Sequence, residues 1–243
     1  MTEKPKINLK ALYNSFAHNP EGMWILESSN AIDLYEYIKK NSFKRVLDLG
    51  TGIGASSAIV SLAFQDKGET DYKIDSIEQY DKCIKLANEL IPEELKKNLT
   101  IYKSDVEVWS TEKIPYQYFS SYKKLPEGEY DFIINDGPAF FEENGHFIDL
   151  PNGTIMKLLL EGKIKAKTHI LYDGRISSLK IIERYFGDNF LMVNLPPKGR
   201  DFHIIERIEG EVIFKDSYFE SIKTQTPYFN GQDTKKAEDK TGK

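Results

Sequence analysis

The run Val46-Leu47-Asp48-Leu49-Gly50-Thr51-Gly52-Ile53-Gly54-Ala55 constrains this chain more than any other segment. A short apolar stretch closes on three alternating glycines and then continues as helix-like sequence. That order describes a buried strand turning tightly into a crossover helix. Glycine permits φ > 0 in the turn and lets a ligand lie against the bare backbone. The following helix would offer unpaired N–H groups to an anion, with Ser56 in its first turn. The pattern satisfies G-x-G-x-x-A as well as G-x-G-x-G, so the loop alone leaves the ligand open.

Apolar runs alternate with helical periodicity along most of the chain. Strands are expected at Arg45–Leu49, Lys73–Glu78, Leu99–Lys103, Asp131–Asn135, His169–Tyr172, Phe190–Val193 and Phe202–Arg207. Most are short continuous apolar runs, as in strands covered on both faces. Helices are expected at Ala31–Lys40, Ala55–Phe64, Asp81–Ile91, Thr154–Leu160 and Ser177–Phe186. Ser28, Ser29 and Asn30 stand as caps before the first, and Gly162 and Gly187 as C-caps. The alternation predicts an α/β fold with a doubly wound, mostly parallel seven-stranded sheet. The last two strands are joined by too few residues for a crossover helix, so they should pair as an antiparallel hairpin. Asn194-Leu195-Pro196-Pro197 is then the hairpin turn. Ser104–Glu129, rich in Tyr, Ser and Lys, reads as an irregular insertion with one short helix. Residues 1–30 read as an N-terminal helical extension, 31–218 as the main domain, and 219–243 as a polar tail expected to be disordered.

The 243 residues suit one domain, and 40% hydrophobic residues suffice for a full core. The net charge of -5 argues against a large nucleic-acid footprint, which calls for a basic face. No stretch approaches the roughly 18 apolar residues of a membrane span. The N-terminal MTEKPKINLK has no apolar segment of the kind a signal peptide needs. A cytoplasmic, reducing setting is the expectation. Cys83, the single cysteine, falls on the apolar stripe of a helix and reads as a small core residue.

Further polar residues recur at strand ends. Glu78, followed by Gln79, closes its strand 24 positions after Gly54, near the spacing at which an acid reaches a ribose diol. Asp105 and Val106 follow the third strand, where an acid can accept from an adenine amino group. Asn135-Asp136-Gly137-Pro138 is a turn sequence at the carboxyl edge of the sheet, the edge that carries ligands in open α/β folds. Asp173-Gly174-Arg175 repeats the design one strand on.

With these residues in this order, the chain resembles the class I S-adenosylmethionine-dependent methyltransferases over roughly Ala31 to Glu209. The resemblance implies S-adenosylmethionine as cofactor, lying against Asp48, Gly50, Thr51, Gly52 and Gly54, with Ser56 on its methionine carboxylate. It puts Glu78 and Gln79 at the ribose, Asp105 and Val106 at the adenine, and Asn135 beside the transferable methyl. Within the class the chain looks most like small-molecule O-methyltransferases. In the catechol-type branch, acids after the fourth and fifth strands hold a divalent metal. Asp136 and Asp173 stand there, so Mg²⁺ would be a second cofactor. Gly174 replaces the Asn usual after the second acid, and an Asp-Gly-Pro turn follows the first. Asp136 is the first candidate at the reacting centre, as base or metal ligand, with Asp173 second. His146 is the preferred histidine for a general base, and Arg175 the contact for an anionic acceptor. Trp24, Phe140, Phe141 and Phe147 are candidates for the acceptor wall. The expected activity is methyl transfer to a small-molecule hydroxyl. The alternatives are an NAD(P)-dependent Rossmann oxidoreductase and a non-catalytic cofactor-binding subunit. The oligomeric state stays open and admits a homodimer.

Overall fold

The computed structural model describes residues 7–22, 25–138, 141–144, 146–193 and 202–215, without the side chains of Pro115, Tyr116 and Phe147. The elements run α1 (Leu9–Ala17), α2 (Ser28–Lys40), β1 (Arg45–Leu49), α3 (Ala55–Lys67), β2 (Lys73–Glu78), α4 (Asp81–Leu90) and β3 (Leu99–Lys103). There follow β4 (Val106–Thr111), β5 (Ile114–Tyr122), β6 (Phe132–Asn135), β7 (Phe141–Glu143), β8 (His146–Ile148) and α5 (Thr154–Leu160). The chain continues through β9 (His169–Asp173), α6 (Ile176–Phe186), β10 (Phe190–Val193) and β11 (Phe202–Arg207).

Seven strands form one sheet in the order β10-β11-β9-β6-β1-β2-β3. All neighbours are parallel except around β11, which runs antiparallel to both β9 and β10. The strand alternation splits the core into two layers. Val46, Ile74, Phe132 and Ile134 face α1 to α4, while Leu47, Leu49, Ile133 and Ile170 face α5, α6 and the β4–β5 hairpin. Helix α1 belongs to the first layer, with Leu12 4% and Phe16 0% exposed. Burial of each such side chain is worth about 1.5–3 kcal/mol.

The sheet follows the sequence expectation closely, and the differences lie between strands. Ser104–Glu129 is not irregular. It holds the antiparallel hairpin β4–β5, with Val106 opposite Tyr122, and this hairpin makes the crossover from β3 to β6 in place of a helix. The physical reason is burial: Ile114, Phe119 and Tyr122 supply an apolar face for the second layer. Ser28, Ser29 and Asn30 are not caps but the first turn of α2, whose N-cap is Glu27. Gly187 is the C-cap of α6, in the right-handed conformation, whereas α5 is capped by Glu161 with the left-handed Gly162 (φ +69) just after it. The hairpin turn expected at Asn194-Leu195-Pro196-Pro197, and the tail 219–243, lie outside the described residues.

His169 is structural. Its Nδ1 lies 2.6 Å from the Tyr37 hydroxyl, so α2 is tied to β9, and its Nε2 lies 3.7 Å from Glu206. Burial lowers the imidazole pKa, with Glu206 opposing. The folded state therefore prefers the neutral ring. Its contribution is present above the unfolded value near 6.5 and is lost as pH falls through the lower folded value. The melting temperature of the wild type should thus fall more between pH 7.5 and pH 5 than that of His169→Gln. Equal falls would remove His169 from the balance.

Candidate active site

The β1–α3 loop meets the β6 loop backbone to backbone. Gly50 has φ +102, and a Cβ there would lie 2.7 Å from Gly137 N and 3.0 Å from Asp136 C. Gly137 is equally confined, since its Cβ would meet the Tyr122 hydroxyl at 2.5 Å and Gly50 Cα at 2.7 Å. Neither loop can retreat, because the obstructing atoms at Gly50 are main chain. Gly50→Ala should lower unfolding stability by about 2 kcal/mol or more, from left-handed strain plus overpacking. A urea midpoint unchanged from wild type would contradict this contact.

Beneath the loop, Asp48 is fully buried. One carboxylate oxygen accepts from Ser57 (2.5 Å), Ser56 (2.7 Å) and Ser76 (3.3 Å). The other, Oδ1, has no partner among the described residues. Burial pushes this carboxyl up to about 6, the serine hydroxyls opposing. Ser56 is thereby engaged with Asp48, and Thr51 bonds Ser76 at 2.6 Å in the interior. At the end of β2, Glu78 is 5% exposed. It accepts from the backbone N–H groups of Gly52 (2.8 Å), Gln79 (2.8 Å) and Tyr80 (2.9 Å). A single carboxylate thus holds both the glycine loop and the start of α4. Burial raises its pKa despite these three donors.

Gly50, Gly52, Ser56 and Asp136 line one groove of about 100 Å³, walled by Ile25 and Cys83. Cys83 is therefore not a core residue: it is half-buried on the groove wall, and burial raises its thiol pKa. Asp105 is exposed between β3 and β4, and Val106 is half-buried.

The carboxyl edge at β6 and β9 is set by strand register. Asn135 of β6 pairs with Tyr172 of β9, so Asp136 and Asp173 leave adjacent strand ends side by side. Arg175 donates from Nε to Asp136 Oδ1 at 3.1 Å and from Nη2 to the Asp136 carbonyl. Burial lifts the Asp136 carboxyl to about 7; Arg175 counteracts it and Asp173 reinforces it. Asp173 Oδ1 accepts from Asn30 Nδ2 at 2.7 Å, across the sheet from α2. Asn135 is buried and accepts from Asn152 Nδ2 at 2.9 Å, and the same amide donates to the Gly137 carbonyl. Asn152 in turn accepts from Thr154 N at 2.9 Å, which ties this loop to the start of α5.

Sequence reasoning missed Asn30, Tyr122 and Asn152. Asn30 resembles a helix cap and Asn152 a turn residue, and neither carries a local sign of its distant partner. His146 is exposed on β8 opposite Glu143 and is not among the groups meeting at Asp136. Phe141 is half-buried on β7, while Trp24, Phe140 and the Phe147 side chain lie outside the described residues. Asp136 and Asp173 do meet, but each already has a donor. No group of three or more His, Cys, Asp or Glu able to hold a metal occurs among the described residues. The expected Mg²⁺ site does not fit these residues as they stand.

The family model for protein-L-isoaspartate(D-aspartate) O-methyltransferase matches residues 25–124. No curated protein matches the chain. Among solved structures, an S-adenosylhomocysteine-bound methyltransferase from Podospora anserina is 14% identical, with TM-score 0.57, covering 85% of this chain and 91% of that one. The O-methyltransferase from Bacillus cereus, in complex with S-adenosylhomocysteine, is 14% identical with TM-score 0.52 and coverages of 86% and 94%. The O-methyltransferase TomG from Streptomyces achromogenes, in complex with S-adenosylmethionine, is 11% identical with TM-score 0.53 and coverages of 86% and 93%. The chain has the Rossmann-like fold of the class I S-adenosylmethionine-dependent methyltransferases. The matched family segment ends before Asp136. No helix among the described residues is long and apolar enough to cross a membrane.

Proposed function

We propose that this chain transfers a methyl group from S-adenosylmethionine to a hydroxyl oxygen of a small-molecule acceptor. The observation that carries this is that Gly50, Gly52 and Asp136 line the same groove, whose glycine loop is held by the Glu78 carboxylate. Two polar groups fit the cofactor. Glu78 has about four acceptor sites, of which three serve backbone N–H groups, leaving capacity for a ribose hydroxyl. Asp48 Oδ1, buried and unpaired among the described residues, is an acceptor beneath the glycine loop for a donor such as an ammonium. The bound cofactor supplies the activated methyl.

The protein's own tasks are to align the acceptor and take its proton. Asp136 is the base: its carboxylate would accept the hydroxyl proton as the acceptor oxygen bonds to the methyl carbon and that carbon's bond to sulfur breaks, with S-adenosylhomocysteine leaving. A carboxyl lifted to about 7 is suited to that transfer near neutral pH. Arg175 and Asn30 hold Asp136 and Asp173, so the edge is preorganised before the acceptor arrives. The unit proposed for this activity is 31–218, with 1–30 as its N-terminal extension, and a reducing cytoplasm as its setting. The named activities of the O-methyltransferase neighbours support oxygen as the acceptor atom.

Calorimetry tests the cofactor first. S-adenosylmethionine and S-adenosylhomocysteine should bind at micromolar levels and NAD⁺ should not. Saturable NAD⁺ binding without either nucleoside would sink the proposal. Release of S-adenosylhomocysteine with a panel of hydroxylated acceptors then tests catalysis, and tight binding with no turnover would leave a cofactor-binding subunit.

A further inference from the structure

Two carboxylates at adjacent strand ends are the beginnings of a divalent-cation site, yet both are already engaged. Asp136 is paired with the Arg175 guanidinium through Nε at 3.1 Å, and Nη2 binds the same residue's carbonyl. The chain arranges this deliberately. Gly174 takes φ +65 directly after β9, and Arg175 is the N-cap of α6, so the turn sends the side chain back over the neighbouring strand end. Asp173 faces the Asn30 amide nitrogen at 2.7 Å. A cation needs lone pairs, and here it would meet N–H donors and a permanent positive charge. Asp136 and Arg175 remain about one third exposed, so the pair borders solvent, and Asp136 also lines the groove. Arg175 Nη1 makes no hydrogen bond to any described residue.

We infer that Arg175 is a built-in replacement for a divalent metal at the Asp136–Asp173 edge, orienting the acceptor oxygen by its guanidinium so that the site works without a metal. This rests on the methyl-transfer reading of the groove. The guanidinium offers what a cation would, a fixed positive charge beside the base and a point of attachment for an acceptor oxygen. It differs in being covalently placed, planar and limited to donated hydrogen bonds. An acceptor with two adjacent oxygens has no metal to chelate here, so a single oxygen, or an anionic group beside it, is the recognised chemistry.

The test needs no acceptor and uses Mn²⁺ alone, followed by electron paramagnetic resonance on the full chain. The wild type should leave the free Mn²⁺ signal as it is in buffer. Arg175→Ala should bind Mn²⁺ at least tenfold more tightly, and Arg175→Ala combined with Asp173→Asn should lose that gain. Arg175→Gln gives a second variant should the alanine protein fail to fold, as judged by its thermal melt. Micromolar Mn²⁺ binding by the wild type that disappears in Asp136→Asn would overturn the inference. So would the absence of any gain in both folded Arg175 variants. Cofactor calorimetry reports separately on the methyl-transfer reading, so failure there and failure here are distinguishable.

Discussion

Asp136→Asn should lower kcat by about 10²–10⁴-fold, the usual loss when a positioned proton acceptor is removed. The substitution is isosteric and keeps an oxygen for Arg175, so the local fold should survive. The cofactor dissociation constant should stay within about twofold, because the change acts on the transition state and not on the bound ground state. The pH profile separates this role from a structural one. A base must be deprotonated to act, and burial holds Asp136 near 7. The wild-type rate should therefore climb as pH rises through about 7 and level off above it. The residual rate of the variant should lack that step. Stopped assays of S-adenosylhomocysteine release between pH 5.5 and 9 measure both quantities. A variant with near wild-type kcat and the same step would place the base elsewhere.

Glu78→Ala should weaken cofactor binding by about 10–100-fold, since one charge-assisted hydrogen bond to a ribose hydroxyl, worth about 1.5–3 kcal/mol, is lost and each 1.4 kcal/mol is tenfold. The same change removes the acceptor of three backbone N–H groups. Leaving them short of a partner should cost about 1–3 kcal/mol of stability. The two effects are separable. Titration of the folded variant with S-adenosylhomocysteine gives the affinity, and urea unfolding without ligand gives the stability. Intact affinity would mean that Glu78 only braces the loop and does not touch the nucleoside.

Much of the architecture was legible because its causes are local. The apolar runs that mark β1, β2, β3, β10 and β11 have the same bounds in the sequence and in the sheet. The antiparallel end of the sheet followed from one short connection. The β4–β5 hairpin was not legible, because the aromatic and polar residues of 104–129 alternate too weakly to advertise a strand. Its pairing is justified by the core it covers, through Phe119 and Tyr122. Cys83 was misplaced for a related reason. Helical periodicity gives a stripe but not its limits, and the groove cuts into the stripe at that position.

The chain's linear order settled where the strand–glycine–helix turn lies, because glycine stereochemistry and strand length act over a few neighbouring residues. Folding alone decided what the acids at that place can do. Asn30 lies 143 positions from Asp173, and Arg175 lies 39 from Asp136. Such pairings arise only when distant segments share one packed edge. Charge, proton affinity and cation binding all depend on which donor arrives there, and no local pattern encodes that.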